Sequence, residues 1–512
     1  MRKDTPAGRV TPPFERLLIA NRGEIAIRII RACREMGIES IAVYSDADAG
    51  ALHVQAADRA ERIGPASPAE SYLSIQAILD ASLRSGAQAI HPGYGFLSEN
   101  AAFARAVEEA GIVFVGPPPA TLESLGDKLA ARRSAVAAGV PVVPGLLVPL
   151  DDAASVDLGE IGFPAMLKAA AGGGGRGMRR VDSAEEVPAA LETARREAIS
   201  AFGDGTIYVE RLVAPARHVE VQLLGDRHGT LVCLGERDCS VQRRHQKLVE
   251  ESPSPAVTPE IRAAMFDSAR RIAGSVEFHN AATVEFLLDA DGNHYFLEMN
   301  TRLQVEHGVT ELVTGIDMVA WQIRIAAGER LGRDVVDVVP RGHAIEVRLY
   351  AEDPWDAFRP VSGRVGAWRM PAGPGVRVDA GVVADTELPP QYDPLLAKLL
   401  VRADDRLAAI ARLRRALDET LVGGLQTDLG FHRWLVDQPA FVSGAYDTGL
   451  IDDEWGDGSP LAGDDLGLLS AAAIGARTAA RPPSAQQATD QSPSTTDQSA
   501  WSRLARREAI ER

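Results

Sequence analysis

The chain has 512 residues, 46% hydrophobic and 24% charged, a composition typical of a soluble globular protein of about three domains. Its formal net charge of -17 argues against binding to nucleic acid or to an anionic membrane, so any anion site must be built locally from a few Lys and Arg. Three cysteines without zinc-binding spacing, no signal-peptide pattern and no long apolar run predict a cytoplasmic protein with reduced thiols.

The first predicted elements form a β-α-β unit. A short apolar strand at 16–20 leads into a loop with Gly23, then a helical pattern that ends at Gly37, then a second strand at 40–44. This order predicts a parallel sheet. The segment does not contain Gly-x-Gly-x-x-Gly and is therefore not interpreted as a dinucleotide site.

A glycine-rich segment at 172–178 follows a predicted strand that carries Lys168. Such a segment suits a mobile loop whose backbone N–H groups approach phosphates. Lys168 is either a phosphate contact or an ordinary surface lysine, and composition leaves both interpretations open. Further along, the pattern predicts strands at 206–213, 218–224 and 230–236, a helix at 258–275 and a hairpin at 283–300.

A basic run from Arg237 to Lys247 concentrates four cations in an acidic chain. A solvated basic loop and an anion site are both possible interpretations, and the position of the run before the hairpin favours an anion site. His218 is equally well interpreted as a structural histidine or as part of the same site.

The last part of the chain combines short strands from 342 to 402 with a helix that places Ile410, Leu413 and Leu417 on one face. Composition changes near 453. The segment 477–499, rich in Ser, Thr, Gln, Pro and Ala, is predicted to be disordered.

Two carboxylates are predicted to face each other in the hairpin. With Asp291-Gly292 as a two-residue turn, Glu285 pairs with Glu298. The same register pairs Leu288 with Tyr295. Opposed carboxylates destabilise a sheet unless a cation neutralises them, and Mg²⁺ prefers carboxylates together with substrate phosphates. The sequence therefore predicts a divalent-metal site on this hairpin.

From Glu298 to Glu306 the even-numbered residues are all polar, whereas the odd-numbered ones are mostly apolar. While the chain stays extended, this alternation places every polar side chain on one face. A solvated strand face is the alternative interpretation, but it leaves the opposed carboxylates unexplained.

Six segments of the chain resemble the biotin carboxylases, members of the ATP-grasp fold. They are 20–28, 91–95, 172–178, 237–247, 298–307 and 346–353, within a resemblance that extends over about 14–450. The resemblance implies an α/β fold (α+β overall) of four parts. These are an N-terminal Rossmann-like pre-ATP-grasp domain (14–125), an ATP-grasp domain with a glycine-rich lid (126–335), a C-terminal biotin carboxylase domain (336–453) and a mostly disordered tail (454–512).

The resemblance also implies site residues. Those for the nucleotide are Lys128, Lys168, Gly174, Gly175, Glu210, Arg211, Leu212, Val213, His218, Gln242 and His245. Those for two Mg²⁺ or Mn²⁺ ions are Glu285, Glu298 and Asn300. Those for bicarbonate are Lys247, Arg302, Gln304 and Val305, with Glu306 as the base and Arg348 at the biotin ureido oxygen.

The activity implied is ATP- and bicarbonate-dependent carboxylation of biotin through carboxyphosphate, the first half-reaction of an acetyl- or acyl-CoA carboxylase. Its acceptor stays open among acetyl-, propionyl- and methylcrotonyl-CoA. Because the sequence contains no Met-Lys dipeptide, we expect the biotin carrier on a separate polypeptide, or a chain shortened from a longer subunit. The other expected partners are a second copy of the chain, in a homodimer, and a carboxyltransferase subunit.

Two alternatives are another ATP-grasp carboxylate–amine ligase and an inactive nucleotide-binding regulatory subunit. The first is not expected to combine Lys247, Glu306 and Arg348, and the second should have lost such residues. Two positions depart from the family pattern: Arg211, where lysine is common, and Gly308, where proline is usual and where glycine is expected to loosen the loop that holds Glu306.

Overall fold

The computed structural model describes residues 13–126, 128–146, 161–170 and 178–455, without the side chain of Phe202. The predicted lid residues Gly174 and Gly175 and the predicted disordered segment 477–499 lie outside the described residues. Within the described ranges, no helix has both the length and the apolar character needed to cross a membrane.

The N-terminal part contains a parallel sheet. Its strands are β1 (Arg16–Ile19), β2 (Glu39–Ser45), β3 (Arg59–Gly64), β4 (Ala89–His91) and β5 (Val113–Phe114), in the order β3-β2-β1-β4-β5. The helices are α1 (Gly23–Met36), α2 (Leu52–Ala56), α3 (Ile75–Ser85), α4 (Ala101–Glu109) and α5 (Pro119–Gly126). Helix α1 ends where Gly37 takes a φ of 72°, a left-handed conformation that glycine adopts without strain. The predicted β-α-β unit and parallel sheet are confirmed.

A small antiparallel sheet follows. It contains β6 (Ala165–Ala169), β7 (Arg179–Val181) and β8 (Ile207–Arg211) in the order β7-β6-β8, after helix α6 (Lys128–Ala137). Helix α7 (Val187–Phe202) buries Leu191, Ala194 and Ala198 against this sheet. This apolar cluster is separate from the larger cores of the molecule.

The largest sheet among the described residues is antiparallel and has eight strands. Its strands are β9 (Ala216–Gly225), β10 (Leu231–Arg243), β11 (Gln246–Ser252), β12 (Asn280–Asp289), β13 (His294–Asn300), β14 (His343–Tyr350), β19 (Val376–Ala380) and β21 (Leu395–Ala403). The order is β13-β12-β9-β10-β11-β14-β21-β19. Strand β11 pairs with β14, so one sheet joins the predicted ATP-grasp and C-terminal parts.

Further helices, several of which pack on this sheet, and short strands make up the rest of the described chain. The helices are α8 (Pro259–Gly274), α9 (His307–Thr314), α10 (Met318–Ala326), α11 (Arg333–Val336), α12 (Arg406–Glu419), α13 (Leu429–Leu435) and α14 (Pro439–Ser443). The short strands are β15 (Glu352–Asp353), β16 (Arg359–Pro360), β17 (Gly363–Arg364), β18 (Ala367–Arg369), β20 (Glu387–Leu388) and β22 (Leu421–Gly423). The structure confirms the three strands predicted between 206 and 236, the helix predicted at 258–275, the helix with Ile410, Leu413 and Leu417, and the hairpin at 283–300.

The β12–β13 hairpin differs from its prediction at the turn. The prediction of a two-residue turn is wrong. Asp289 N donates to Asn293 O at 3.0 Å, so three residues lie between the paired ends of the strands. Leu288 consequently faces His294 and not Tyr295. An irregularity between Glu285 and Phe286 then shifts the register by one, so that Glu285 does face Glu298, as predicted.

Candidate functional site

The predicted site residues that the structure describes all line one cleft of about 1800 Å³, between the eight-stranded sheet and the small sheet β7-β6-β8. They are Lys128, Lys168, Glu210, Arg211, Leu212, Val213, His218, Gln242, His245, Lys247, Glu285, Glu298, Asn300, Arg302, Gln304, Val305, Glu306 and Arg348. The fold therefore assembles in one place residues that are far apart in sequence.

The hairpin end of the cleft is formed by Lys128, Glu285, Glu298 and Asn300. Asn300 Nδ2 donates to both carboxylates, at 3.0 Å from Glu285 Oε1 and 3.5 Å from Glu298 Oε1. Lys128 Nζ lies 3.2 Å from Glu298 Oε2, and the Glu298 side chain is 33% exposed. Glu285 is buried and lies 2.8 Å from Nε2 of His218. The two opposed carboxylates therefore sit in different surroundings.

These residues fit a hard divalent cation. Two carboxylates and an amide oxygen are the donors that Mg²⁺ and Mn²⁺ prefer. Asn300 Oδ1 here accepts from Arg302 Nη2 at 3.0 Å, while Nδ2 faces the carboxylates. Rotating this amide by half a turn would direct its oxygen towards the same point as the carboxylates.

The cleft floor is formed by Lys247, Glu306 and Arg348, and the fully buried Glu220 contacts Lys247 from outside the lining. Lys247 Nζ contacts three carboxylates, at 2.7 Å from Glu220, 2.9 Å from Glu285 and 2.7 Å from Glu306. Arg348 Nη2 donates to the other oxygen of Glu306 at 3.0 Å. The ammonium of Lys247 therefore balances the charge of three carboxylates that are crowded together and buried.

Glu306 is fully buried and ionised. Burial by itself would raise its pKa, but the charges of Lys247, Arg348 and Arg237 outweigh burial and hold the pKa well below the usual range. The pKa of Glu285 is lowered in the same way, by Lys247 and His218 against the effect of burial. An ionised carboxylate in this position can accept a proton from a bound substrate.

The segment between Asn300 and Glu306 is not an extended strand, because β13 ends at Asn300 and α9 begins at His307. The polar side chains nevertheless converge on the cleft. Arg302 Nη1 donates to Gln304 Oε1 at 2.9 Å, and Gln304 Nε2 donates to Glu285 Oε1 at 3.3 Å. Hydrogen bonds, and not strand periodicity, therefore align this polar row.

Gly308 is tightly packed at the start of α9. A Cβ atom at this position would overlap Leu400 Cδ2 and lie 3.0 Å from Glu346 Oε2. Leu400 thus fills the space that a side chain at 308 would use. Gly308 is therefore closely packed, and the packing does not show the loosening that was expected of a glycine at this position.

The opposite wall carries a buried charge cluster around Glu210. Lys168 Nζ contacts one carboxylate oxygen of Glu210, and Arg132 Nη1 contacts the other at 2.5 Å. Arg132 also donates to Val143 O at 2.7 Å. The Lys168 side chain is only 14% exposed, so the surface-lysine interpretation is wrong.

The β10–β11 hairpin places His245 in the cleft through an unusual turn. Arg243 pairs with Gln246, and the two turn residues Arg244 and His245 have φ values of 48° and 67°. Two-residue turns of this hand usually contain Asn and Gly, so side chains here carry a conformational cost that is common at functional sites. Burial, together with the charges of Lys168 and His218, lowers the pKa of His245.

The basic run does not act as one group. Arg237 is fully buried and donates to Glu220 Oε1 at 2.5 Å and Gln222 Oε1 at 2.6 Å, so for this residue both the solvated-loop and the anion-site predictions are wrong. Arg243 lies 4.9 Å from the centre of the Phe358 ring. The remaining cations, Arg244 and Lys247, line the cleft.

Several residues of the site were not predicted from the sequence. Glu220 lies opposite both Glu285 and Arg237 in the sheet, and it shares a face with His218 because the two are two residues apart. That spacing was the available signal. Tyr94 of the N-terminal part also lines the cleft, but no local pattern connects it to the hairpin.

Three family models match successive parts of the chain. They are the biotin carboxylase N-terminal domain at 13–122, the carbamoyl-phosphate synthase L chain ATP binding domain at 127–334 and the biotin carboxylase C-terminal domain at 346–453. Together they account for most of the described residues.

Curated relatives match nearly the same range. A biotin carboxylase of Nostoc sp. is 50% identical over 442 residues, which cover 86% of this chain and 99% of that protein. The chloroplastic biotin carboxylase of Arabidopsis thaliana is 49% identical, over 85% of this chain and 82% of the relative. A biotin carboxylase of Halalkalibacterium halodurans is 49% identical, over 86% of this chain and 97% of the relative.

Solved structures share the fold. The biotin carboxylase of Campylobacter jejuni, in a complex with a nucleotide, has a TM-score of 0.84 and 44% identity, covering 86% of this chain and 99% of that chain. A second structure is the biotin carboxylase domain dimer of Hydrogenobacter thermophilus 2-oxoglutarate carboxylase, in complex with MgADP and bicarbonate. It also has a TM-score of 0.84 and 44% identity, and the match covers 86% of this chain and 97% of that chain.

Proposed function

The chain belongs to the biotin carboxylase family, and from this premise we propose that it uses ATP and bicarbonate to carboxylate biotin on a separate carrier protein. The observation that carries the proposal is the arrangement at the cleft floor. A buried, ionised glutamate, Glu306, lies between two cations, Lys247 and Arg348. That arrangement suits a base that acts on a small anion.

Bicarbonate is a poor electrophile and needs activation by a phosphoryl group. In our proposal Lys247, Arg302, Gln304 and Val305 bind bicarbonate, and Glu306 accepts its proton. The freed oxygen attacks the γ-phosphorus of ATP, ADP leaves and carboxyphosphate forms. These residues line one continuous part of the cleft, which supports the proposal.

The nucleotide is proposed to bind along the small-sheet wall. Lys128 and Lys168 contact its phosphates, residues 210–213 line the adenine pocket, and His218, Gln242 and His245 complete the site. Gly174 and Gly175 would belong to a lid over the phosphates. Glu285, Glu298 and Asn300 would hold Mg²⁺ or Mn²⁺, two ions in the full complex, and these ions would neutralise negative charge on the phosphates.

The second half of the reaction takes place beside Arg348. Carboxyphosphate breaks down to CO₂ and phosphate, phosphate removes the proton from biotin N1′, and that nitrogen attacks CO₂. Arg348 stabilises the negative charge on the ureido oxygen. Its guanidinium lies in the cleft and already contacts Glu306 and Glu250, so it is held in place before biotin arrives.

The proposed partners, in the cytoplasm, are a second copy of this chain, a biotin carboxyl carrier protein and a carboxyltransferase subunit. No described feature favours the carboxylate–amine ligase or the inactive regulatory subunit. Glu306, Arg302 and Arg348 are all present and converge on the cleft.

The test is bicarbonate-dependent release of ADP, with and without free biotin. We expect biotin to stimulate release by the wild-type protein, and Glu306→Gln to lower the stimulated rate by about 10²–10⁴-fold because the proton acceptor is lost. Glu329→Gln, at an exposed position outside the cleft, is the control and should leave the rate unchanged. ATP binding without any biotin-stimulated release would contradict the proposal.

A further inference from the structure

Lys398 lies on β21 and its side chain is completely buried. It faces Arg348 on one neighbouring strand and Asp379 on the other. Two cations directly opposite each other in a sheet destabilise it. A fold retains two opposed cations when each has its own hydrogen-bond acceptor or anionic partner. The acceptors of Arg348 and Lys398 therefore indicate the role of these two residues.

The two cations hold the same two-residue segment. Arg348 Nη2 donates to the side chain of Glu306 at 3.0 Å. Lys398 Nζ donates to the backbone carbonyl of Val305 at 2.6 Å. One cation therefore fixes the carboxylate of the proposed base, and the other fixes the main chain that carries it.

Lys398 also connects this segment to the N-terminal part of the molecule. Its Nζ lies 3.4 Å from Glu24 Oε1 and 4.0 Å from Asp379 Oδ2. Glu24 lies in the first turn of α1 and accepts a hydrogen bond from the hydroxyl of Tyr94, which lines the cleft. A chain of contacts thus runs from Val305 through Lys398 and Glu24 to Tyr94.

The charge of Lys398 is maintained although the residue is buried. Burial lowers the pKa of a lysine, but Glu24, Glu346 and Asp379 outweigh this and raise the pKa of Lys398. Of these three carboxyl groups, burial raises the pKa of Glu24 and Glu346, whereas Arg377 and Lys398 outweigh burial and lower the pKa of Asp379, which is therefore the most firmly ionised partner. A charged donor forms a stronger hydrogen bond to a carbonyl than a neutral one does. The Val305 carbonyl is therefore held firmly.

The geometry points to Lys398 as a positioning residue that fixes the Val305–Glu306 segment for proton transfer and couples it to Tyr94. This inference rests on the proposed function of Glu306. A small displacement of a catalytic group is sufficient to lower a rate by about 10²-fold, so a residue that touches no substrate can control the reaction in this way.

The first arm of the test is hydrogen–deuterium exchange, which does not depend on activity. We expect Lys398→Met to increase exchange in a peptide covering 301–308 while the strands of the eight-stranded sheet stay protected. Leu399→Ala is the matched control, because Leu399 is equally buried on the same strand but packs in the apolar cluster on the other face. Unchanged exchange at 301–308, or an equal increase in both variants, would overturn the inference.

The second arm is kinetic. We expect Lys398→Met to lower kcat by at least about 10-fold, and the KM for ATP to change little, since Lys398 does not line the cleft. Combined with Glu306→Gln, it should add almost nothing, because both act on one group. Additive effects would show that Lys398 acts elsewhere.

A conservative pair covers the case in which Lys398→Met fails to fold. Lys398→Arg keeps the charge, and Glu24→Gln keeps the shape of its neighbour. Both should increase exchange at 301–308 relative to wild type, and the absence of an increase in both would contradict the inference. A wild-type protein without biotin-stimulated turnover would refute the proposed function, whereas the exchange result would still decide the structural role of Lys398.

Discussion

At the cleft floor, Glu306 has no exposed surface and touches two cations, whereas at the hairpin end Glu298 is 33% exposed and faces one lysine, Lys128. Buried ion pairs are costly to break, while half-exposed ones contribute little to stability. The floor is thus fixed before any ligand binds. The hairpin end keeps negative charge available for a cation and is the more adaptable of the two.

The largest expected effect is a difference in stability between variants of Lys247, at the cleft floor, and Lys128, at the hairpin end. Lys247→Met leaves Glu220, Glu285 and Glu306 as buried, crowded carboxylates, and we expect it to destabilise the protein by about 3–5 kcal/mol. Lys128→Met, its counterpart at the hairpin end, should cost about 0–1 kcal/mol. Thermal unfolding of both variants at pH 7 measures this, and equal losses would remove the distinction.

A smaller effect concerns pH and a carboxylate outside the cleft. Glu251 accepts hydrogen bonds from His343, Arg406 and Tyr446. Burial opposes these partners, but they lower its pKa from 4.5 to about 2. Above pH 4.5 the carboxylate is ionised in both states, and the stabilisation is complete.

As the pH falls below 4.5, the unfolded chain takes up the proton first, so the stabilisation is lost between pH 4.5 and about 2. The amount at stake is on the order of 3 kcal/mol. We expect Glu251→Gln to be less stable than wild type at pH 7 and to lose that difference progressively as the pH falls from 4.5 to about 2. Unfolding temperatures across this range measure it, and a constant difference would count against the assignment.

The smallest expected effect on stability concerns Glu298, at the hairpin end of the cleft. Glu298→Gln should raise the Mg²⁺ concentration for half-maximal activity by roughly 10-fold or more, since a proposed ligand loses its charge, while the unfolding temperature changes little. Asp291→Asn, at the tip of the same hairpin, is the control. A large loss of stability with unchanged Mg²⁺ dependence would mean that Glu298 is structural.

The hairpin shows how far the sequence leads. Local patterns predicted its two strands and the pairing of Glu285 with Glu298. The turn prediction was wrong, because the side chain of Asp289 accepts from the backbone of Asp291 and Asn293 and closes a longer loop. The irregularity next to Glu285 compensated for that error, and a repeating pattern gives no signal for such a local shift.

Residues that act through long-range contacts could not be predicted. Arg132 reaches Glu210 from helix α6, and Lys398 reaches Val305 from β21. Each lies in an ordinary local sequence, and its role depends on which strands become neighbours. The resemblance to a family supplied the directly aligned site residues, but not the buried charges that hold them.

The shared eight-stranded sheet also determines how the molecule can be divided. Strands β11 and β14 come from regions matched by two different family models, yet their backbones are hydrogen-bonded to each other. A fragment cut near residue 340 would leave the backbone groups of β11 and β14 without their partner strand, and unpaired strand edges promote edge-to-edge aggregation. We therefore expect the regions matched by these two family models to fold together, and a domain exchange should transfer both as one segment.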